Sequence, residues 1–121
     1  MDYFDIPIDP IGAPRMTQRD AWKKRPVVLR YFAYRDVVRL ICNTEGYSPG
    51  GEIQIEFHVP LTKSRAKQKE LIGKGHDQKP DIDNMLKAFM DCFGEDKTVW
   101  KINASKLWSE TGFIRVFRQP S

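Results

Sequence analysis

Apolar residues recur along this chain in short stretches of period two, interleaved with longer ones of period three to four. Phe4, Ile6 and Ile8 alternate with Asp5, Pro7 and Asp9, the pattern of a strand with one buried face. Pro7 cannot donate to a ladder, which predicts an edge position. Pro10-Ile11-Gly12-Ala13-Pro14 breaks the strand, and the basic stretch Arg15 to Arg25 has neither period and reads as a loop. From Pro26, suited to a helix's first turn, Val27, Tyr31, Tyr34, Val38 and Ile41 recur at helical spacing, predicting a helix that stops at Gly46. Ile53, Ile55, Phe57 and Val59 then alternate with Glu52, Gln54, Glu56 and His58 in the clearest strand of the chain, ended by Pro60. Lys63 to Leu71 reads as a short exposed helix and Gly73 to Asp77 as a flexible loop. Asn84 to Phe93 is helical again, with Met85, Leu86, Phe89, Cys92 and Phe93 on its apolar side and Gly94 as the stop. Thr98, Trp100, Ile102 and Ala104 predict a strand running to Trp108, and Ser109-Glu110-Thr111-Gly112 a hairpin turn into a last strand, Phe113 to Phe117. The order β-α-β-α-α-β-β predicts an α+β fold, a small mixed sheet of about four strands with two to three helices packed on it.

Length and composition narrow this. The 121 residues suit one domain, 1–121, and 40% hydrophobic against 30% charged residues is the balance of a globular protein, not a disordered tail. No apolar run approaches the roughly 18 residues that span a bilayer, and Met1 to Asp5 lacks the basic start and apolar centre of a signal peptide, so a cytoplasmic location is expected. Cys42 and Cys92 lie in apolar helical patterns without paired spacing, which predicts buried thiols, not a disulfide or a zinc site.

Charge changes the picture more than composition does. The net charge is +4, and its distribution is uneven. Arg15, Arg19, Lys23, Lys24, Arg25, Arg30 and Arg35 face a single acid, Asp20, in the first basic segment; Lys63, Arg65, Lys67, Lys69, Lys74 and Lys79 face Glu70 and Asp77 in the second. Two basic segments flanking an acidic cluster are what a phosphate-tracking surface requires, whereas either run alone would be an ordinary solvated face.

The acidic cluster is Lys79-Pro80-Asp81-Ile82-Asp83-Asn84-Met85-Leu86-Lys87, with Glu95-Asp96 beyond the next helix. If the chain is extended at Asp81 to Asp83, both carboxylates project to one side and reach one ion. Asp83 stands where an N-cap belongs, with Lys87 and Asp91 at successive steps of four on the same face. Oxygen ligands with open positions suit a hard divalent cation such as Mg²⁺, which lowers the pKa of a bound water for attack on a phosphodiester. Lys87 is then placed to stabilise charge on the phosphate or protonate the leaving oxygen. The bland alternative is helix capping plus an Asp83–Lys87 ion pair, and Asp91, His58 and His76 read as a surface charge, a solvent-facing strand residue and a loop residue.

The run Lys-Pro-Asp-Ile-Asp-Asn-Met-Leu-Lys-Ala-Phe-Met-Asp, followed by Glu-Asp-Lys-Thr-Val, resembles the RusA family of Holliday junction resolvases, in which Asp-x-Asp-Asn-x-x-Lys precedes an acidic pair leading into a strand. The likeness extends more loosely over nearly the whole chain. It implies a RusA-like fold, with Asp81, Asp83 and Asp96 as metal-binding carboxylates and Lys87 as the catalytic lysine. Where the family often has two aspartates this chain has Glu95-Asp96, which leaves the choice of third ligand between them; position relative to Val99 favours Asp96. The resemblance further implies a homodimeric, Mg²⁺-dependent endonuclease, with Mn²⁺ as a substitute and no small-molecule cofactor. Such an enzyme places paired nicks in four-way DNA junctions during recombination and repair, and is bacterial or carried by phages and prophages. Arg15, Arg19, Lys23, Lys24, Lys63, Arg65, Lys67, Lys69 and Lys79 are the candidate DNA contacts. The rival classes are a non-catalytic basic DNA-binding protein and a nuclease acting on flaps, forks or RNA.

Overall fold

In the computed structural model, which describes residues 2–14, 25–94 and 97–118, the four predicted strands form one sheet. β1 spans Tyr3–Ile6, β2 Gly51–Pro60, β3 Val99–Ser109 and β4 Phe113–Phe117, in the spatial order β1-β4-β2-β3. β4 runs antiparallel to both β1 and β2, while β2 and β3 are parallel. The expected edge position of β1 is observed, with Pro7 just outside the ladder.

The expected hairpin between the last two strands is not. β2 lies between β3 and β4, and residues 110–112 carry the chain across its end, where Leu61 N–H donates to the Ser109 carbonyl at 3.1 Å. Two strand spacings are roughly 10 Å, which three extended residues can reach. Alternation in a sequence reports which face is buried and carries no information about which strand lies alongside.

Register aligns the apolar face in rows across the sheet. Phe4, Val116, Ile55 and Ala104 form one; Ile6, Ile114, Phe57 and Lys106 form the next. Two helices cover this face. α1, Pro26–Thr44, buries Val28, Tyr31, Tyr34, Val38 and Cys42. The fully buried stripe therefore runs through Val28 and Cys42, while Val27 is exposed and Ile41 packs partly buried against the core; spacing alone does not choose between two adjacent apolar residues. α2, Ile82–Met90, buries Met85, Ala88, Phe89 and Met90, and continues as a 3₁₀ turn over Asp91–Phe93 to Gly94, whose φ of 80° is the left-handed conformation glycine tolerates. Cys42 and Cys92 are buried free thiols, as expected.

The crossover from β2 to β3 departs from expectation twice. Lys63 to Leu71 is not one helix but two 3₁₀ turns, Lys63–Arg65 and Lys69–Leu71, with no buried residue in either. A segment without an apolar stripe has no packing to stabilise a full helix. The glycine-rich stretch after it is not a free loop: Gly73 N–H donates to the Trp108 carbonyl, Trp108 N–H to the Lys74 carbonyl and His76 N–H to the Lys106 carbonyl, each at 2.9 Å. Residues 73–76 thus cover part of the outer edge of β3. His76 is accordingly buried against the Trp108 ring, with centroids 4.3 Å apart, instead of standing in an open loop. His58, expected to face solvent, is half-buried, stacked on Phe113 at 4.1 Å and 3.0 Å from Glu56 Oε1.

The core also holds three tyrosines whose hydroxyls stay protonated at unusually high pH. Burial is the first cause at each, pushing Tyr31 and Tyr47 up to about 12 and Tyr34 well above its ordinary value. Unfolding restores the ordinary value near 10, so between these values the unfolded chain releases protons that the native state retains. Stability should be intact below about pH 10 and fall progressively as pH rises toward 12. In Tyr3→Phe, which removes the one exposed tyrosine, an absorbance titration at 295 nm should show these phenols ionising only together with loss of the far-ultraviolet circular dichroism signal; ionisation near pH 10 with the fold intact would contradict their burial.

Candidate active site

The helix that carries the acidic motif starts two residues earlier than its sequence pattern suggests. Asp81, with φ −65° and ψ 151°, is the N-cap of α2, and Asp83 lies inside the first turn. The extended run expected from Asp81 to Asp83 is therefore interrupted: Asp81 keeps extended angles as the cap while Asp83 is helical, and both residues lie near the positive end of the helix. Neither is used as the capping reading requires. Asp81 makes no side-chain capping bond, and Asp83 Oδ1 accepts only from the adjacent Asn84 N–H at 3.0 Å among the described residues. Both are exposed to solvent.

Lys87 is exposed, one turn further along, but its ion pair is with Asp91 and not with Asp83. Lys87 Nζ lies 2.6 Å from Asp91 Oδ2, and the Tyr31 hydroxyl reaches the same oxygen at 3.4 Å. The Asp91 charge is, after burial, a further reason that Tyr31 holds its proton. An exposed i,i+4 pair of this kind stabilises by only about 0.3–0.5 kcal/mol, so it parks the ammonium without locking it. Sequence reasoning passed over Asp91 as a surface charge and Tyr31 as plain core; the four-residue step from Lys87 was the available signal for the first.

Two supports hold the entry to α2. On one side Gly12 lies against Pro80 and Asn84, where an added Cβ would fall 2.9 Å from Pro80 Cβ and 2.6 Å from Asn84 Nδ2. Next to it Ala13 N–H donates to the Asn84 carbonyl at 3.2 Å. On the other side Lys106 Nζ donates to the carbonyls of Gln78, at 2.6 Å, and Pro80, at 2.8 Å.

Of the remaining predicted site residues, Asp96, its neighbour Glu95, and Arg15, Arg19, Lys23 and Lys24 lie outside the described residues. Lys63, Lys67, Lys69 and Lys79 are exposed along the crossover; Lys69 lies 3.4 Å from Glu110, and half-buried Arg65 sits over the Trp108 ring at 5.7 Å. Among the described residues no three His, Cys, Asp or Glu side chains converge on a common point. What is described of the motif is two exposed carboxylates, oxygen donors of the kind a hard cation takes, and its third predicted acid is Asp96.

Residues 7–117 match the protein-family model Endodeoxyribonuclease RusA. The chain belongs to the RusA endodeoxyribonuclease family. The match spans both helices, β2, β3, β4 and the whole crossover. RusA proteins are metal-dependent nucleases that act on Holliday junctions, and the four-stranded mixed sheet with its two helices is consistent with the RusA fold. No curated protein matches the chain. Among the described residues no helix is long and apolar enough to cross a membrane.

The Gly12 contact makes a direct check of this arrangement. Gly12→Val should push the N-terminal segment off Pro80 and Asn84 and destabilise the protein by about 1–3 kcal/mol, as overpacking does. Hydrogen exchange should also accelerate at the Ala13 amide, whose bond to the Asn84 carbonyl is lost; an unchanged urea midpoint would mean that the segment is not docked there.

Proposed function

We propose that this RusA protein is a Mg²⁺-dependent endodeoxyribonuclease that resolves four-way junctions by paired, symmetric nicks, with Mn²⁺ able to replace Mg²⁺. The observation that carries this reading is that Asp81 and Asp83 are exposed at the start of α2 and bound neither by a side-chain cap nor by an ion pair among the described residues. The two parts of the capping alternative, an N-capping carboxylate and an Asp83–Lys87 pair, are both missing from this geometry.

Asp81 and Asp83 would hold the ion together with Asp96. When bound, the ion supplies an activated water and offsets charge on the phosphate. Lys87 reaches the scissile phosphate by leaving Asp91, an exchange that the weakness of the exposed pair permits. Lys63, Arg65, Lys67, Lys69 and Lys79, with Arg15, Arg19, Lys23 and Lys24, follow the DNA backbone on either side. The helix dipole at the start of α2 favours the same anionic ligand.

The decisive comparison is Asp83→Asn against the parental protein on a labelled four-way junction with Mg²⁺. The variant should bind the junction at least as well, since a negative charge facing phosphate is gone, while its cutting rate falls by more than about 100-fold, beyond the loss of a mere supporting contact. Cutting at the parental rate would refute the metal role, and binding without cutting by the parental protein would favour a non-catalytic DNA-binding protein.

Two symmetric nicks call for two sites, which a two-fold homodimer presents to opposed strands. Trp108 is excluded from any such interface, being only 2% exposed, whereas Trp100 and Ile102 are 71% and 44% exposed on the edge strand β3, beyond the part covered by residues 73–76. That edge is the proposed contact. Sedimentation equilibrium should give twice the chain mass for the parental protein and the single mass for Trp100→Glu; a monomeric parental protein would overturn the dimer.

A further inference from the structure

Lys106 occupies a position where the rest of its row is apolar. Across the sheet it stands in register with Phe57, and through it with Ile114 and Ile6, all on the face that the helices cover. A lysine in such a row must lay its stem along the apolar surface and bring its ammonium to acceptors at the rim. Here the acceptors are not carboxylates. They are the carbonyls of Gln78 and Pro80, on either side of Lys79, at 2.6 and 2.8 Å.

The backbone ladder that ties the crossover to β3 ends at His76 N–H, and α2 begins with Asp81 as its cap. Between those points the polar contact from β3 to the chain is the Lys106 ammonium. We infer that Lys106 is a positioning residue for the Asp81 and Asp83 carboxylates: by gripping the two carbonyls just ahead of the cap, it sets the path by which the chain enters α2 and therefore where the ligands stand. This rests on the reading of Asp81 and Asp83 as metal ligands. Lys106 acts through the main chain: the two acceptors its ammonium meets are backbone carbonyls ahead of the cap. The physical reason for a charged grip is strength combined with reach: ammonium-to-carbonyl bonds are about twice as strong as neutral ones, and ligand atoms must be held to within about 0.5 Å to bind an ion well.

The test uses the full chain and Lys106→Met, which keeps the length and apolar stem while removing the donors. Three quantities are compared with the parental protein: Mn²⁺ affinity without DNA, from the electron paramagnetic resonance of free Mn²⁺; amide hydrogen exchange across 78–84; and junction cutting as a function of Mg²⁺ concentration. Mn²⁺ binding should weaken by about 10–100-fold, the usual effect of removing a group that orients a ligand. Exchange should speed up within 78–84 and not in β2 or β4, junction binding without metal should be unchanged, and cutting should recover at high Mg²⁺. A purely structural loss would instead speed exchange everywhere and leave the metal midpoint where it was. Lys106→Arg, which keeps donors at the rim, should restore part of the Mn²⁺ affinity. Parental Mn²⁺ affinity together with parental exchange in Lys106→Met would overturn the inference. If Lys106→Met does not fold by circular dichroism, Lys106→Gln, with one amide donor, replaces it; failure of both to fold would also overturn the inference, because the residue would then serve the whole fold. The underlying reading fails separately: should Asp83→Asn bind Mn²⁺ as tightly as the parental protein, the carboxylates are not the ligands, and the exchange measurement still decides whether Lys106 positions the segment.

Discussion

The parallel pairing of β2 with β3 is the constraint from which the site follows. Antiparallel neighbours can be joined by a tight turn, but parallel ones need a crossover of a dozen or more residues that leaves the sheet and returns to the same end. Here that crossover runs from Leu61 to Thr98 and contains the second basic segment, the Asp81/Asp83 motif, α2 and the Glu95-Asp96 pair. The elements proposed to do the chemistry are thus the obligatory connection between two strands of the core. Met85, Ala88 and Phe89 bind that connection to the sheet through the buried side of α2, which leaves Asp83 and Lys87 on its exposed side.

Packing α2 on the sheet settles its axis and rotation, and the entry to the helix is held separately. Gly12 and Ala13 press on Pro80 and Asn84 from the N-terminal segment, and Lys106 reaches the Gln78 and Pro80 carbonyls from β3. Residues far apart in the chain therefore meet across a few residues of backbone, and the acids between them are left exposed. A carboxylate held near a helix start without being spent as a cap keeps its lone pairs available, at a small cost in helix stability of about 1 kcal/mol. Natural proteins commonly depart from local rules of this kind where a site needs the group for something else.

Much of the fold was legible because burial imposes periodicity. The alternation of Ile53, Ile55 and Phe57, and the helical recurrence of Tyr31, Tyr34 and Val38, survive in the structure as buried stripes. Three readings failed where the deciding interaction lies outside the local segment. Lys63 to Leu71 has helix-forming residues but nothing to pack against; Gly73 to His76 looks like free loop but finds the open edge of β3; and Ser109 to Gly112 has turn composition while β2 already occupies the neighbouring place. The acidic motif was legible as chemistry, but the partner of Lys87 was not, since Asp83 and Asp91 are both four residues away and only the folded geometry chooses Asp91.

By itself, then, the order of residues determined the element types, the apolar faces, the grouping of basic charge and the Asp-x-Asp-Asn-x-x-Lys motif, because each of these is a property of neighbours within a few turns of chain. Tertiary structure alone decided that β2 would separate β3 from β4, that a lysine in an apolar row would reach the main chain ahead of Asp81, and that Gly12 would lie on Pro80. Those outcomes depend on contacts between segments tens of residues apart. Their energies arise only when the sheet has assembled, so no local spacing records them.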